Sequence, residues 1–259
     1  MNGLEQIFRW MHIFVGVLWI GLLYFFNWVN GPFVAALDGD TKRKVVPELM
    51  PRALFWFRWG AAYTWVTGVL LLLLVFYHGG LLIEGQAAWG PGAFVMLAVT
   101  FLAVFLYDAL FKSPLGKNPK AGATVGFIGI AVAMFLMSTW GNFSYRGTMI
   151  HIGAMFGTIM AFNVWYRIWP AQQRIITAIK KGEKPDPADA AMAGGRSKHN
   201  TYLSAPLLWA MISAHTTYFA GGNLGIPAEW AWATMLVITL LGWHIIWHCY
   251  KKAGKVKGF

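Results

Sequence analysis

The sequence predicts an all-α integral membrane protein, a bundle of about seven transmembrane helices. Hydrophobic residues make up 58% of the chain and charged residues only 12%, which is far from the balance of a soluble domain. Apolar runs close to the roughly 20 residues that a bilayer-crossing helix needs recur along the chain. These runs are continuously apolar and do not alternate, so helices are favoured over a β-barrel.

The predicted spans are joined mostly by short loops, which favours antiparallel neighbours within one membrane domain, 1–259. In chain order the spans are 4–30, 54–78, 91–111, 122–141, 145–169, 201–220 and 229–250. Two connections, 39–53 and 170–200, are longer.

The second long connection has a helical pattern at its start. Ile175, Ile176 and Ile179 fall on one side of a short helix, which predicts an amphipathic segment, 171–182, lying in the membrane interface. The Pro, Asp, Ala and Gly residues that follow it predict an irregular stretch up to the next span.

The distribution of basic residues predicts the orientation of the bundle. If the amino terminus is outside, nineteen of the 21 lysine and arginine residues fall on the inner side, and only Arg9 and Arg146 fall outside. This bias favours an odd number of spans with the carboxyl terminus inside, in a bacterial inner membrane. It also accounts for the net charge of +11 without a nucleic-acid partner. The first run lacks a basic leader and a small-residue cleavage motif, so we expect it to stay as a span.

The polar residues of the spans disfavour several kinds of membrane protein. All ten acidic residues fall in loops or near span ends, whereas proton-coupled transporters usually need a carboxylate at depth. The last span has no lysine before Lys251, which argues against a retinal Schiff base. The single cysteine, Cys249, excludes an internal disulfide, an iron–sulfur cluster and a covalently attached haem. Histidine is the remaining candidate for chemistry.

The histidines sort into two layers when depth is counted along the spans at about 1.5 Å per residue. His12, His151 and His215 lie toward the outer side, and His199 and His244 lie toward the inner side. Three imidazoles at one depth on different helices favour a haem site. We predict a b-type haem with His12 and His151 as axial metal ligands and His215 as an alternative ligand or proton donor. A second haem would use His199 and His244; a hydrogen-bonded packing role is the alternative for each histidine.

Two further polar positions leave a structural and a functional interpretation open. Asp108 and Lys112, four residues apart at the inner end of the third span, predict either an interfacial ion pair or a site contact or proton relay. Asn163, inside the fifth span, predicts either an interhelical hydrogen bond or a substrate contact.

Five stretches carry a resemblance to a known family. They are RWMHIFVGVLWIGLLYFF (9–26), YDALFKSPLG (107–116), HIGAMFGTIMAFNVW (151–165), KKGEKPDP (180–187) and SKHNTYLSAPLLWAMISAH (197–215). Together they resemble the membrane domain of the bacterial cytochrome-c-linked urate oxidases, the urate oxidase N-terminal family. The first span is also similar to that of a membrane protoporphyrinogen oxidase family, in which the histidine matching His12 binds haem.

The resemblance implies a fold, an activity and a set of site residues. The positions that match the family's motifs are His12, Asp108, His151, Asn163, His199, Asn200, Tyr202, Pro206 and His215. The implied activity is oxidation of urate to 5-hydroxyisourate, with His215, Asn200 and Asp108 as catalytic candidates. In the family the electrons leave through a fused cytochrome c. These 259 residues hold no such domain, so the expected acceptor is a separate cytochrome c, a quinone or a larger membrane complex.

The chain departs from the family's pattern in two places. The connection between the first two spans is shorter, and Ala214, Thr216 and Thr217 stand where the family tends to have Asn, Tyr and Pro around His215. A non-catalytic electron-transfer subunit, or a structural subunit of a larger respiratory or other membrane complex, is therefore the alternative to an enzyme.

Overall fold

Ten α-helices make up most of the computed structural model, which describes residues 2–213, 215, 218–219 and 225–256. They are α1 (Asn2–Tyr24), α2 (Gly31–Ala36), α3 (Gly39–Leu71), α4 (Pro91–Lys112), α5 (Pro114–Lys117), α6 (Pro119–Thr139), α7 (Tyr145–Phe162), α8 (Trp169–Lys181), α9 (Pro187–Ser213) and α10 (Thr234–Ala253). Among these residues, 3₁₀ turns at Glu84–Gln86 and Ala228–Ala233 lie in the connections. No β-strand occurs in this described part of the chain, where Ile83 and Phe143 form an isolated antiparallel bridge. The predicted all-α class is confirmed.

Within the described residues, six helical stretches are long and apolar enough to cross a membrane. They are Gly3–Ala36, Gly39–His78, Pro91–Lys112, Pro119–Thr139, Tyr145–Lys181 and Ala228–Ala253. Each overlaps one predicted span, so the chain is a multi-pass membrane protein. The remaining predicted span, 201–220, overlaps α9, but several of its residues from 214 onward lie outside the described part. Its membrane crossing, and with it the count of seven, stays a prediction.

The outward faces of these helices are apolar, as contact with lipid requires. Val17 on α1 is 69% exposed and Leu106 on α4 is 77% exposed. Apolar exposure on this scale is unfavourable in water and favourable in hydrocarbon. The lipid bilayer is therefore the natural surrounding of the helices.

The first long connection is helical, so its prediction as a loop is wrong. Residues 39–53 form the first turns of α3, which starts where Asp38 Oδ1 accepts hydrogen bonds from the amides of Asp40 and Thr41 at 2.9 and 3.0 Å. Two prolines inside α3 each remove a helix hydrogen bond. Val46 and Met50, one helical turn apart, are buried and offset that loss.

The second long connection is also more helical than predicted. α8 confirms the short helix with Ile176 buried and Lys180 exposed. The stretch predicted to be irregular after it is helical from Pro187, so that prediction is wrong. Asp186 Oδ1 caps α9 by accepting from the Ala188 amide at 2.8 Å, and Arg174 Nε of α8 donates to Asp189 Oδ2 of α9 at 2.8 Å. The alanine content of this stretch then favours the helix.

The helices divide into two compact units. The first unit comprises Met1–Gly68, Met160–Ser204 and Trp243–Phe259, and the second comprises Val69–Ile159 and Ala205–Gly242. In the first unit, α1 approaches α3 where α3 lacks a side chain: a Cβ on Gly60 would lie 3.3 Å from the Cβ of Trp19. Close backbone approach of this kind is a usual way for membrane helices to pack.

In the second unit, glycines also bring helices together. A Cβ on Gly122 of α6 would lie 2.8 Å from the Phe111 ring of α4, and a Cβ on Gly153 of α7 would lie 2.8 Å from Met211 Cε of α9. A Cβ on the glycine four residues later in the same helix, Gly126 or Gly157, would have no described atom within 4 Å. One glycine of each spaced pair therefore marks a helix contact.

Replacing Gly153 with alanine is expected to destabilise the protein by about 1–3 kcal/mol, because the new methyl group overlaps Met211 and the Cβ of Ala210. The matched control is Gly157→Ala on the same helix, which should be neutral or stabilise by up to about 1 kcal/mol, since alanine is the better helix former. Thermal unfolding in detergent measures both variants. Equal midpoints for the two would contradict the packing of α7 on α9.

In the part of the chain that the structure describes, three π-helical segments interrupt the regular helices. They are Phe25–Asn30 after α1, Leu72–His78 after α3 and Asn163–Ile168 after α7. π-Helical turns are rare, and they occur frequently at functional sites. Here the segments contain Asn27, Tyr77 and Asn163, and each of these side chains makes a hydrogen bond to another part of its own unit.

Candidate functional site

His12 lies on α1 and contacts Thr67 of α3 within the first unit. Its Nδ1 atom is 3.1 Å from the Thr67 hydroxyl oxygen. That hydroxyl directs its only proton to the carbonyl oxygens of Tyr63 and Thr64, at 2.6 and 3.2 Å, so it accepts from His12. The proton of the neutral imidazole is therefore on Nδ1, and the lone pair is on Nε2.

Gly68 makes the space in which the His12 ring lies. A Cβ on Gly68 would lie 3.0 Å from Cε1 of His12 and 3.5 Å from its Nδ1. Even alanine would therefore push the ring away from α3. An imidazole whose Nδ1–H is held by a second residue is typical of metal-binding histidines, because the bond fixes both tautomer and ring orientation. The residues around His12 fit a haem ligand.

His151 lies on α7 in the second unit and is 0% exposed. Its Nδ1 atom donates to the Gly147 carbonyl at 2.7 Å, and its Nε2 atom accepts from the Tyr77 hydroxyl at 2.9 Å. The rings of Phe76 and Phe143 pack against the imidazole, with centroids 6.3 and 5.0 Å away. The tautomer again suits a ligand, but the lone pair is already used, so ligation requires that Tyr77 give up its hydrogen bond.

The predicted pairing of His12 and His151 on one haem joins residues of different units, and it stays a prediction. His215, the alternative ligand, follows α9; it is exposed, and its backbone amide donates to the Ile212 carbonyl at 2.9 Å. Its neighbours Ala214, Thr216 and Thr217, where the sequence departs from the family, lie outside the described residues. Between residues 2 and 256, the described side chains include no group of three or more His, Cys, Asp or Glu placed to hold a metal ion.

A buried amide pair joins α9 to the π-helical segment after α7. Asn163 Nδ2 donates to Asn200 Oδ1 at 2.8 Å, and Asn200 Nδ2 donates to the Met160 carbonyl at 2.9 Å. Both asparagine side chains are 0% exposed. The interhelical hydrogen bond, which was one of the two interpretations of Asn163, is present in the structure. Asn200 uses both ends of its amide to hold α9 in place.

A second polar cluster joins three parts of the first unit. Asn27 Nδ2 donates to the Ser197 hydroxyl at 2.8 Å, and Asn27 Oδ1 accepts from the Tyr250 hydroxyl at 2.7 Å. The Tyr202 ring stacks on the Tyr250 ring with centroids 5.9 Å apart. Tyr202, one of the motif positions, is thereby held against α10.

Asp108, the third catalytic candidate, forms the ion pair that its spacing predicts. Its Oδ2 atom is 2.8 Å from Lys112 Nζ, one turn further along α4. The Asp108 side chain is 9% exposed and that of Lys112 is 51% exposed. The aspartate is therefore the buried member of the pair and the lysine the exposed one. A catalytic or relay role for Asp108 stays a prediction.

His199 lies one residue ahead of Asn200 and before the predicted span 201–220. Burial, together with the charges of Arg196 and Lys198, lowers the pKa of its imidazole from 6.5 to about 4. The imidazole is therefore neutral at pH 7, which is the form that binds metals.

The lowered pKa of His199 predicts a loss of stability in mild acid. Between about pH 6.5 and pH 4 the unfolded chain binds a proton at this residue and the folded chain does not. The free energy of unfolding therefore decreases as the pH is lowered across that window. His199→Gln is expected to make the unfolding midpoint decline less between pH 7 and pH 5. His78→Gln, which changes an exposed histidine, should decline as the wild type does. An unchanged slope for His199→Gln would contradict the prediction.

His244 lies on the exposed side of α10. Its Nε2 atom is 3.0 Å from Nε2 of His248, and its ring stacks on Trp247 with centroids 5.8 Å apart. The predicted use of His244 together with His199 for a second haem stays a prediction.

Three residues that hold the predicted ligands were not found from the sequence: Thr67, Gly68 and Tyr77. Thr67 and Gly68 stand side by side within an apolar span, which is a signal for close helix contact and a polar interhelical bond. Tyr77 gave no such signal, because aromatic residues near span ends belong to the ordinary interfacial belt.

The comparisons with known proteins give one result. A family model described as "Urate oxidase N-terminal" matches residues 36–258. The match includes His151, Asn163 and Asn200 and begins after α1, so His12 lies outside it. The searches of curated proteins and of solved structures found no match.

Proposed function

The chain belongs to the urate oxidase N-terminal family, and on that premise we propose that it is a membrane-bound oxidoreductase that oxidises urate to 5-hydroxyisourate. The match over residues 36–258 carries the proposal, because it extends across five of the six membrane-crossing stretches. The reaction adds water to urate and releases two protons and two electrons. The protein must therefore provide an electron acceptor and proton acceptors beside a bound, flat anion.

A b-type haem is the proposed electron acceptor, and His12 and His151 would hold it. When bound, the haem would supply reversible one-electron reduction, so the two electrons of urate would pass through it one at a time to the next acceptor. Thr67 and Gly147 each accept an Nδ1–H bond and so orient the two imidazoles. Gly68 supports the proposal at His12, because its missing side chain leaves room for the ring.

Proton transfer is assigned to His215 and Asp108. The exposed imidazole of His215 is the proposed acceptor of a proton from urate. The carboxylate of Asp108, paired with Lys112 at the inner end of α4, is the proposed proton-transfer group on the inner side, where a proton can pass to water. Asn200 is proposed to act by position, because its buried amide fixes α9 ahead of His215.

The proposed topology is seven spans in a bacterial inner membrane, with the amino terminus outside. Nineteen of 21 basic residues on the inner side support that orientation. Electrons would pass from the haem to a cytochrome c, to a quinone or to a larger membrane complex. Offering each acceptor in turn to the reduced protein would identify the one that takes up its electrons.

Spectroscopy and turnover of the purified protein test the proposal. The protein in detergent is expected to show the absorption bands of a b-type haem, and urate is expected to reduce an added acceptor while xanthine, which lacks the 8-oxo group, is not. A colourless preparation would overturn the haem assignment. A haem protein that urate does not reduce would be an electron-transfer subunit and not the enzyme.

A further inference from the structure

We propose that His244 and His248 on α10 form a binding site for a divalent transition-metal ion of the Cu(II) or Ni(II) class. The two imidazoles are one helical turn apart and direct their Nε2 atoms to the same point, 3.0 Å from each other. Both rings are exposed on α10 and lie one and two turns before Lys251, in the basic last turn of the helix, so an ion would reach them from the membrane interface. The site shares His244 with the predicted second haem and uses no residue assigned above to the first haem or to proton transfer.

The separation of the two nitrogen atoms indicates which ions fit. Imidazole nitrogen binds first-row metals at about 2.0–2.1 Å, so a 3.0 Å separation corresponds to an N–metal–N angle of about 91–97°. Such an angle suits neighbouring positions of a square-planar or octahedral site. A tetrahedral ion such as Zn(II) would need the nitrogens about 3.4 Å apart at the same bond lengths. The spacing therefore suits Cu(II) or Ni(II) without movement of the rings.

The hydrogen bonding of the pair also suits a metal. Two neutral imidazoles can contact each other through Nε2 only if one donates a proton to the lone pair of the other. On metal binding, the ring that donates would carry its proton on Nδ1 instead, so that both Nε2 lone pairs face the ion and both imidazoles stay neutral. Trp247 holds both rings, since its indole stacks on His244 with an interplanar angle of 23° and meets His248 edge to face, with centroids 4.8 Å apart.

A positive charge near the pair restricts which metal ions can bind to it. Lys251 Nζ lies 3.6 Å from the centre of the Trp247 ring, so a positive charge is near the pair and weakens the binding of any cation. The described part of the chain adds no third histidine, cysteine or carboxylate to the pair. Water would then complete the coordination. An ion at the top of the Irving–Williams order, Cu(II), is best able to bind under these conditions.

Copper titration of the full chain, purified without a histidine tag, tests the site. Cu(II) is expected to bind with 1:1 stoichiometry, and its electron paramagnetic resonance spectrum should show coupling to two imidazole nitrogens. His244→Ala and His248→Ala should each weaken binding by at least about tenfold, since even residues that only orient ligands affect metal affinity by about 10–100-fold. His78→Ala, which removes an exposed histidine from another helix, should leave the affinity unchanged.

A relocation variant separates this pair from histidine content. His248→Ala combined with Cys249→His keeps the number of histidines but moves the second ring about 100° around α10, out of reach of His244. It should bind copper as weakly as His248→Ala alone. Equal copper affinity in the wild type and either single variant, or tight binding by the relocation variant, would overturn the proposal. Gel-filtration profiles and haem spectra equal to those of the wild type would show that a loss of copper binding is local.

Discussion

Replacing His12 with alanine is expected to abolish the haem absorption bands of the purified protein, with the loss of nearly all bound haem. The change removes the imidazole whose Nδ1–H is held by Thr67 and leaves α1 with no nitrogen ligand at that position. Haem content by pyridine haemochromogen assay is the measurement. His78→Ala is the control, because it removes an exposed histidine and should retain the full haem content.

Two gentler variants test whether the geometry around His12 is responsible. Thr67→Val removes the acceptor of the Nδ1–H bond and should weaken haem binding by about 10–100-fold, as other changes to residues that orient ligands do. Gly68→Ala should do the same by displacing the ring, since its Cβ would lie 3.0 Å from Cε1. Full haem content in His12→Ala would contradict the assignment of His12. Wild-type affinity in both Thr67→Val and Gly68→Ala would contradict the role given to their contacts.

Replacing Asn200 with leucine is expected to destabilise the protein by about 2–4 kcal/mol and to abolish urate oxidation. The leucine leaves the Asn163 amide without its Asn200 acceptor and the Met160 carbonyl without its side-chain donor, each at a cost of about 1–3 kcal/mol in a buried setting. The unfolding midpoint should fall by roughly 5–15 °C. Urate-dependent reduction of an added acceptor measures the activity.

A double-mutant cycle tests whether the two asparagines act as one unit. Because Asn163 and Asn200 share a hydrogen bond, Asn163→Leu combined with Asn200→Leu should cost less stability than the sum of the single changes. Additive losses would show that the bond contributes little. Wild-type turnover in a folded Asn200→Leu protein would contradict the positioning role given to Asn200.

The membrane-crossing helices were predictable, and their connections were not. Six predicted spans overlap the six apolar stretches, because hydropathy depends on composition over about 20 residues. The connections 39–53 and 187–200 are helical against expectation. Charge and proline made them look like loops, whereas the caps at Asp38 and Asp186 and the burial of Val46 decide their structure. The two caps are local, since each joins residues two or three positions apart, whereas the burial of Val46 requires packing by other parts of the chain.

The candidate site was predictable as a list of residues but not as a set of bonds. Motif position pointed to Asn163 and Asn200, and the structure joins them by a hydrogen bond of 2.8 Å. The partners of His12 and His151, by contrast, are a threonine, a glycine and a tyrosine, which are common in any membrane span. Single-sequence reasoning can identify a rare polar residue, but it cannot see which common residue faces it.

The three π-helical segments have a consequence for how related chains should be compared. A π-helical turn contains one residue more than the α-helical turn it replaces, so the residues on its two sides are out of phase by about 100° relative to a continuous α-helix. Loss of one residue from Leu72–His78 would rotate Tyr77 away from His151, and loss of one from Asn163–Ile168 would likewise disturb the amide pair. In an alignment of the family, a single-residue gap at these places would therefore identify members that cannot form these contacts, even where every histidine is present.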